Sequence, residues 1–453
     1  MNVIRQYPET APVSAADRFR RIVLVLVIIF SVALPRSGVI MPFLKLPLPF
    51  GLVFLHIVFW SLFLLTRASR GYLPFLAVFL WYILSVVVAA NIGFIRGAHG
   101  NVMLVETATF LGQVPAFFVM AWLLRDSEDI HLAVRWVTIS VLFAAVYGIV
   151  QFSFGEAIMI PGVTYTAGTK YSLVNLRYGD ASRVLSSYGD PNVFAGALVM
   201  FLPGVIGAAL GQRSVPRRVG KWIITAGAIV CGIIALVYCD SRAGYLGLMI
   251  ACVGLFWRFR AKLVRVIIPV IVVLWVISEV GLTQRIQNRL TISEKDPRRE
   301  YGLIALSVLR SHPEGGGLGI QAKTDNLNNV ELVRAENVWA SYNSFYLHLL
   351  VRAGVFGFLT FVWMSYRCAR NAFLFVNDQR GAAEWKPVIF GFLAGFVGVQ
   401  LAMLFNPFYQ LPGGGVNMWL ALGLAYSIGR VSVQAAESQE MVISANIRQR
   451  TAG

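Results

Sequence analysis

Charge and cysteine are both scarce in this sequence, and each shortage excludes a class of protein. Only 13% of the 453 residues are charged, whereas 57% are hydrophobic and the mean hydropathy is +0.68. A water-soluble domain of this composition would have too few polar residues to cover its surface, so we expect a membrane protein. The sequence also lacks the motifs that mark ATP-binding P-loops, zinc proteases, serine hydrolases and dinucleotide-binding folds.

Four cysteines are present, and none lies in the two long polar stretches of the chain, residues 155–192 and 283–343. They fall in apolar segments or at the edge of one, at Cys231, Cys239, Cys252 and Cys368. Structural disulfides and cysteine-based metal sites need cysteines in loops that meet outside the membrane. We therefore expect no structural disulfide in these stretches and no cysteine-based metal site. No cofactor is expected either.

Long apolar segments dominate the chain. At roughly 20 apolar residues per membrane-crossing helix, they predict an all-α, polytopic integral membrane protein with about twelve transmembrane helices. The predicted spans are 22–35, 51–65, 73–90, 105–124, 135–153, 193–212, 222–240, 244–257, 266–282, 344–365, 388–406 and 416–429.

Lys and Arg indicate the orientation of these spans, because short cytoplasmic connections carry more of them than short outer ones. With the N-terminus inside, the short outer connections contain only Arg36, Lys45 and Arg96. Both termini are then cytoplasmic, and the two long polar stretches lie together on the opposite side. The predicted organisation is a disordered N-terminal tail without a cleavable signal peptide, a membrane domain and a disordered C-terminal tail, over residues 1–21, 22–433 and 434–453.

Arginines stand next to turn motifs on the predicted outer side. Arg183 precedes the turn sequence Gly189-Asp-Pro-Asn192, in which Asp190 or Asn192 is expected to cap the next helix. Arg242 lies at the end of a predicted span that opens on the same side. Cations that converge on one face indicate an anionic ligand.

The second polar stretch predicts a helix over residues 296–309, followed by His312, Pro313 and the glycines of residues 315–319. Such a glycine turn allows the backbone to approach a ligand closely. Alternatively, the glycines only end the helix and return the chain to the bilayer. The sequence leaves both interpretations open.

These motifs together resemble the O-antigen ligase and Wzy-type polymerase superfamily of bacterial envelope glycan assembly. The resemblance rests on four pieces in order: Ser182-Arg183 with Gly189-Asp-Pro-Asn192, Ser241-Arg242-Ala-Gly244, Arg298-Arg299-Glu-Tyr301 leading to Pro313 and residues 315–319, and Asn343-Ser344 followed by Gly354-Val-Phe-Gly357. The four pieces cover about residues 180–360, and the hydropathy pattern extends the likeness to the whole chain.

The resemblance implies a GT-C-like glycosyltransferase fold and a sugar chain on undecaprenyl diphosphate as the substrate. The transfer is expected at the periplasmic face of the bacterial inner membrane, without a metal or a nucleotide sugar. Expected partners are the lipid-linked glycan, membrane lipids, and a chain-length regulator and flippase of the same pathway. The formal net charge of +17 is explained by orientation and by attraction to anionic lipids, so nucleic acid is not an expected partner.

Arg183 and Arg242 are the predicted ligands of the diphosphate, because arginine offers paired donors to phosphate oxygens and keeps its charge. Alternatively, Arg242 is an interfacial arginine that reaches lipid headgroups, and Arg183 is an ordinary loop charge. The remaining substrate-binding candidates are Arg298 or Arg299 as a third cation, His312, Asn192, and Tyr188 by stacking on a sugar ring.

One departure from the family concerns the general base. Ligases of the family begin the fourth motif with a histidine, whereas this chain has Tyr342-Asn343-Ser344. Asn343 remains a candidate site residue but cannot take a proton, so positioning and leaving-group stabilisation are an alternative to base catalysis. The change favours a polymerase over a ligase. The candidate bases are Asp190, Asp240, Glu300 and His312.

A transporter or flippase of lipid-linked glycans is the alternative from another class. Such proteins usually have repeated halves and place ionisable or broken-helix sites at mid-membrane. No internal repeat is visible in this sequence, and its two longest polar stretches are predicted to lie on one side. We therefore prefer enzymatic chemistry at the membrane surface.

Overall fold

The computed structural model describes residues 14–35, 38–41, 46–65, 75–154, 183–211, 219–259, 298–326, 329–334, 344–406, 408–410 and 413–452. Over these residues the chain is mostly helical. The predicted ninth span, 266–282, and most of the first polar stretch lie outside the described residues.

The helices follow the apolar segments of the sequence. In the first half they are α1 Ala15–Ile28, continued by a π-helix over Ile29–Ala33, α2 Phe50–Leu65, α3 Leu76–Ile95, α4 Gly100–Leu111, α5 Pro115–Leu123, α6 Ser127–Phe154, α7 Pro191–Gly211, α8 Val219–Cys239 and α9 over residues 242–259. Later in the chain come α10 Arg298–Ser311, α11 Phe345–Asn377, α12 Lys386–Ala402 and α13 Gly414–Ala452. Every predicted span except the ninth falls on these helices.

Several of these helices are long enough to span a membrane. Within the described ranges, six helices are long and apolar enough to cross a membrane, with α4 and α5 counted as one. The protein is thus a membrane protein with several apolar helices. The total of about twelve crossings and their orientation remain predictions.

Two antiparallel hairpins depart from the all-α expectation. β1 Gly38–Met41 pairs with β2 Leu46–Pro49, and β3 Ile320–Asn326 pairs with β4 Asn329–Arg334. A hairpin lets two neighbouring stretches of connecting chain satisfy each other's backbone groups. The prediction missed both because the strands are short and carry no long alternation of polar and apolar residues.

Hydrogen bonds sort the helix ends into two groups. At one end, called the site end from here on, Tyr188 before α7 donates to the carbonyl oxygen of Val32 at 2.7 Å, and Asn417 at the start of α13 donates to Tyr188 Oη at 3.2 Å. At the opposite end, Arg258 of α9 donates to Asn377 of α11 at 3.4 Å. Both predicted outer stretches join the bundle at the site end, since α6 ends there and α11 begins there.

The core of the bundle is the contact between α7 and α12. A methyl group on Gly207 would lie 2.1 Å from the carbonyl oxygen of Pro387, and one on Gly391 would lie 2.1 Å from that of Pro203. Glycine therefore lets the two backbones approach to a distance that no larger residue permits. Almost all of α7 is buried as a result, so the turn that precedes it stands on a rigid support.

The disorder predicted for the two tails is wrong where the structure describes them. α13 continues without interruption to Ala452, because residues 434–452 are rich in good helix formers, and Arg380 pairs with Glu437 at 2.5 Å. At the other terminus, α1 already begins at Ala15. The hydroxyl of Ser14 caps it by accepting a hydrogen bond from the Asp17 amide at 3.1 Å.

Candidate functional site

Arg183 ties the end of the first polar stretch to the end of α8. Its Nε donates to the carbonyl oxygen of Cys239 at 2.9 Å, and its Nη2 donates to that of Asp240 at 3.1 Å. The same Nη2 donates to Asn192 Oδ1 at 3.1 Å. The carbonyls at a helix C-terminus have no partner inside the helix, and a guanidinium satisfies them here.

The turn before α7 forms as its sequence predicts. Gly189 adopts a φ of +65°, and Pro191 occupies the first turn of the helix, where its missing N–H costs nothing. Asp190 Oδ1 accepts hydrogen bonds from the amides of Asn192 at 2.8 Å and Val193 at 3.0 Å, which makes Asp190 the N-cap. Two candidate residues, Asp190 and Asn192, therefore lie beside Arg183.

Arg242 is the first residue of α9 and is half-buried. The chain reverses direction just before it, at Asp240 with a φ of +50°, and Ser241 Oγ accepts a hydrogen bond from the Gly244 amide at 3.3 Å. Because Arg183 donates to the carbonyl of Asp240, the structure brings Arg183 to the same chain reversal as Arg242. We call this region, Arg183 with residues 239–242, the arginine junction.

An apolar cavity of about 330 Å³ lies next to the arginine junction, between α7, α8 and α9. Tyr245 on its wall stands one turn after Arg242, and its hydroxyl donates to the carbonyl of Val237 at 3.0 Å. The volume is in the range of pockets that hold small ligands. The lining residues are Leu202, Ile206, Ile229, Ile233, Leu236, Val237, Tyr245, Leu248, Met249 and Cys252.

Tyr188 is not available for the expected stacking on a sugar. Its side chain is buried, and its ring stacks on Phe194 with 5.3 Å between centroids. Its hydroxyl is held by Val32 and Asn417 in the contacts that define the site end. Tyr188 is therefore part of the packing around the start of α7.

The second polar stretch contributes α10, which packs on α11. Ile304, Ala305 and Val308 form a buried cluster with Val351, and Leu332 of β4 packs against it. The amphipathic pattern that predicts a helix over 296–309 thus produces α10 at Arg298–Ser311, and the side chains of Arg298, Arg299 and Glu300 lie outside the described part. Asn343 also lies outside the described residues, so its role stays a prediction.

His312 belongs to a polar cluster at the end of α3. Arg96 Nη2 donates to Glu314 Oε1 at 2.7 Å and lies 3.2 Å from His312 Nδ1, while Arg96 Nη1 donates to the carbonyl of Gly315 at 2.6 Å. A hydrogen bond from its own backbone amide lowers the pKa of the Glu314 carboxyl, and Arg96 and His312 add to the effect. Arg96, which served only as an orientation signal in the sequence, therefore holds the chain that follows α10.

The glycines of residues 315–319 contact helix backbone. Gly316 donates to the carbonyl of Val351 at 2.7 Å and Gly317 to that of Arg352 at 3.0 Å, both on α11. The interpretation that this backbone approaches a ligand is therefore wrong for Gly316 and Gly317, whose amides donate to α11 instead. Their sequence does not distinguish the two cases, because glycine permits close approach to any partner.

Glu106 was missed as a site-end residue. Its Oε1 pairs with Arg352 Nη2 at 3.1 Å, and its Oε2 accepts a hydrogen bond from the Gly319 amide at 2.7 Å. Glu106 is 2% exposed and Arg352 is fully buried. An acidic residue in an apolar segment was the available signal, since buried charges in membranes are paired or functional.

Part of the chain is similar to a known protein family. Residues 227–362 match the family model described as O-antigen ligase. Over these residues, which are less than half of the chain, the sequence is similar to the O-antigen ligase family. This confirms the resemblance found in the sequence motifs. The matched region runs from within α8 to within α11, so it contains Arg242, whereas Arg183, Asp190 and Asn192 precede it. No curated protein sequence matches the chain.

Proposed function

We propose that this protein polymerises undecaprenyl-diphosphate-linked oligosaccharide repeat units into O-antigen or exopolysaccharide at the periplasmic face of the inner membrane. The match to the O-antigen ligase family supports a lipid-linked glycan as the substrate class. The observation that carries the proposal is the arginine junction beside an apolar cavity. A polyprenyl diphosphate has the complementary arrangement, which is a negatively charged group next to a long apolar chain.

In the proposed complex the first isoprene units lie in the apolar cavity and the diphosphate lies at Arg183 and Arg242. Arg183 is already fixed by its hydrogen bonds to Cys239, Asp240 and Asn192, so it needs little reorganisation to meet an anion. The start of α9 adds the partial positive charge of a helix N-terminus. Arg298 or Arg299 of α10 is the proposed third cation.

The proposed reaction exchanges one bond at the anomeric carbon of the donor sugar. The bond from C1 to the diphosphate oxygen breaks, and its electron pair leaves with the diphosphate. The acceptor hydroxyl oxygen bonds to C1, and its proton passes to a carboxylate or to the departing diphosphate. Guanidinium groups at the arginine junction stabilise the negative charge that appears on the leaving group.

Asp190 is the proposed base that the geometry supports best. One of its carboxylate oxygens accepts two amide hydrogen bonds at the α7 cap, which fixes the position of the carboxylate. The other oxygen is the proposed proton acceptor. Glu300 and His312 are alternatives on the α10 side, and Asn343 is proposed to orient the acceptor hydroxyl.

Reconstitution tests the proposal directly. We expect the purified protein, in vesicles with purified lipid-linked repeat units, to produce a ladder of longer lipid-linked chains without any second protein. Arg242→Ala should abolish the ladder, and Arg242→Lys should restore it in part because lysine keeps the charge but loses the paired donors. Arg380→Ala, at the opposite end, is the matched control and should retain wild-type yield. A full ladder from Arg242→Ala would overturn the diphosphate assignment.

Ligation is the second candidate function, since the matching family is described as O-antigen ligase. Adding lipid A core to the same vesicles distinguishes the two reactions: glycan joined to the core indicates ligase, and a lipid-linked ladder indicates polymerase. Movement of labelled substrate across the vesicle membrane without any new glycosidic bond would instead support a flippase.

A further inference from the structure

We propose that residues 312–319 form a strap that holds α10 in position, and that Gly93, Glu106 and Arg352 are positioning residues for the transfer reaction. The inference rests on the proposed function, because α10 carries Arg298, Arg299 and Glu300. The strap begins directly after α10 ends and finishes directly before β3 begins. Any displacement of the strap therefore displaces α10.

A kink in α11 provides the first set of anchors. Gly354 has a φ of +65°, which interrupts the helical hydrogen bonds and leaves the carbonyls of Val351 and Arg352 open to other donors. These two carbonyls accept the amides of Gly316 and Gly317, and the Val355 amide donates back to the carbonyl of Pro313 at 3.0 Å. Strap and helix are thus joined by backbone hydrogen bonds in both directions.

The second anchor is α3. Leu318 donates its amide to the carbonyl of Ala89 at 3.0 Å. A methyl group on Gly93 would lie 2.0 Å from the carbonyl oxygen of Leu318, and Gly317, with a φ of +93°, has a methyl position 2.3 Å from the Gly93 amide nitrogen. The strap fits against α3 only because both residues are glycines.

The third anchor is the buried ion pair. Glu106 gives one carboxylate oxygen to Arg352 and the other to the Gly319 amide. Two buried charges are costly to keep in an apolar interior, and stability alone would be served as well by packed apolar side chains. Unlike apolar side chains, the ion pair provides a hydrogen-bond acceptor for the amide of Gly319, the last residue of the strap.

The anchors set the position of α10 on the bundle. The carbonyl oxygen of Val351 accepts the hydrogen bond from the Gly316 amide. The side chain of Val351 also packs under Ile304, Ala305 and Val308. One turn of α11 therefore fixes both the strap and the apolar face of α10. Releasing the strap is expected to free α10 while the membrane helices stay folded, since Leu318 is the only residue of the strap that belongs to the large core.

Gly93→Ala tests the strap, with Gly100→Ala as the matched control because a methyl group at Gly100 meets nothing within 4 Å. We expect hydrogen exchange of the α10 amides to become about tenfold faster in Gly93→Ala, and exchange in α7 and α12 to stay unchanged. The KM for the lipid-linked substrate should rise several-fold. A smaller folded fraction would lower only the apparent kcat, so a raised KM identifies positioning. Unchanged exchange and KM would overturn the proposal.

A pair of double variants tests the acceptor role without leaving a buried charge unpaired. Glu106→Gln with Arg352→Met keeps an oxygen for the Gly319 amide, whereas Glu106→Leu with Arg352→Met removes it. We expect α10 exchange near the wild-type rate in the first and about tenfold faster in the second. Equal exchange in both would overturn the role of Glu106. If the wild-type protein makes no polymer, the proposed function fails, while the exchange measurements still decide on the strap.

Discussion

At the scale of single residues, Arg183 combines a proposed ligand role with an observed structural one. Arg183→Ala removes three hydrogen bonds from a half-buried site, so we expect the free energy of unfolding to fall by about 1–3 kcal/mol. Thermal unfolding of the purified variants measures this, with Arg18→Ala, an exposed arginine of α1, as the control. Equal unfolding temperatures for the two variants would mean that the contacts of Arg183 contribute nothing to stability.

Glu314 predicts a pH dependence of the strap. Its pKa in the folded state lies below the ordinary value of 4.5, so its contribution is fully present above pH 4.5 and is lost as pH falls through the folded pKa. We expect hydrogen exchange of residues 312–319, corrected for intrinsic rates, to accelerate on acidification below pH 4.5. Glu314→Gln should remove this acceleration. A variant that keeps the wild-type pH profile would show that another group titrates.

The sequence anticipates local contacts of the candidate site better than distant ones. Arg183, Asp190 and Asn192 lie within one short segment, and turn chemistry predicts Asp190 or Asn192 as the cap, of which the structure selects Asp190. Glu106 and Arg352 come from helices far apart in the chain, so no pattern within a window reveals their pairing. Packing of the tertiary structure selects such partners.

At the scale of elements, the contact between α7 and α12 gives a prediction on glycine. A methyl group on Gly395 would lie 2.3 Å from the carbonyl oxygen of Met200, which is backbone and cannot move aside cheaply. Gly395→Ala should therefore lower the free energy of unfolding by about 1–3 kcal/mol. Thermal unfolding in detergent again provides the measurement.

The matched control for that variant is Gly227→Ala in α8. A methyl group there would make an ordinary contact of 3.7 Å with Leu142, and alanine favours a helix more than glycine does. We expect this variant to be as stable as the wild type or slightly more stable. A loss equal to that of Gly395→Ala would show that any glycine replacement in these helices is harmful, whatever its distance to a neighbour.

The elements themselves could be predicted wherever one physical signal dominates. Apolar length predicts the membrane helices, and the amphipathic pattern predicts α10 within two residues of its observed start. The break between α4 and α5 and the kink at Gly354 were not predicted. Both occur inside predicted membrane spans. Hydropathy measures how apolar a segment is and does not detect a change in backbone direction within it.

At the scale of the whole molecule, large apolar side chains are exposed around the bundle, among them Trp81, Phe256 and Leu359. Such a surface is stable only when lipid covers it. We therefore expect the helices to span the membrane with one end on each side. The arginine junction, the strap and α10 share one end. Which side that end faces decides whether exported lipid-linked glycan can reach it.

Orientation is predicted by Lys and Arg, which are concentrated at the end opposite the arginine junction. Arg20 and Arg21 pair there with Asp126, Glu128 and Asp129, yet the rule counts basic residues because acidic ones contribute little. The site end is thus expected to be periplasmic. Two exposed serines allow a test with the same chemical change at each end: Ser311 is the last residue of α10 at the site end, and Ser127 is the first residue of α6 at the opposite end.

We expect Ser311→Cys to react with a membrane-impermeant thiol reagent in intact cells whose outer membrane has been permeabilised. Ser127→Cys should react only after the inner membrane is dissolved. The wild-type protein is the background control, because its four cysteines are buried or half-buried in helices. Reaction of Ser127→Cys alone would invert the protein, place the arginine junction in the cytoplasm and separate it from a periplasmic substrate, so the proposed polymerisation at that face would fall with it.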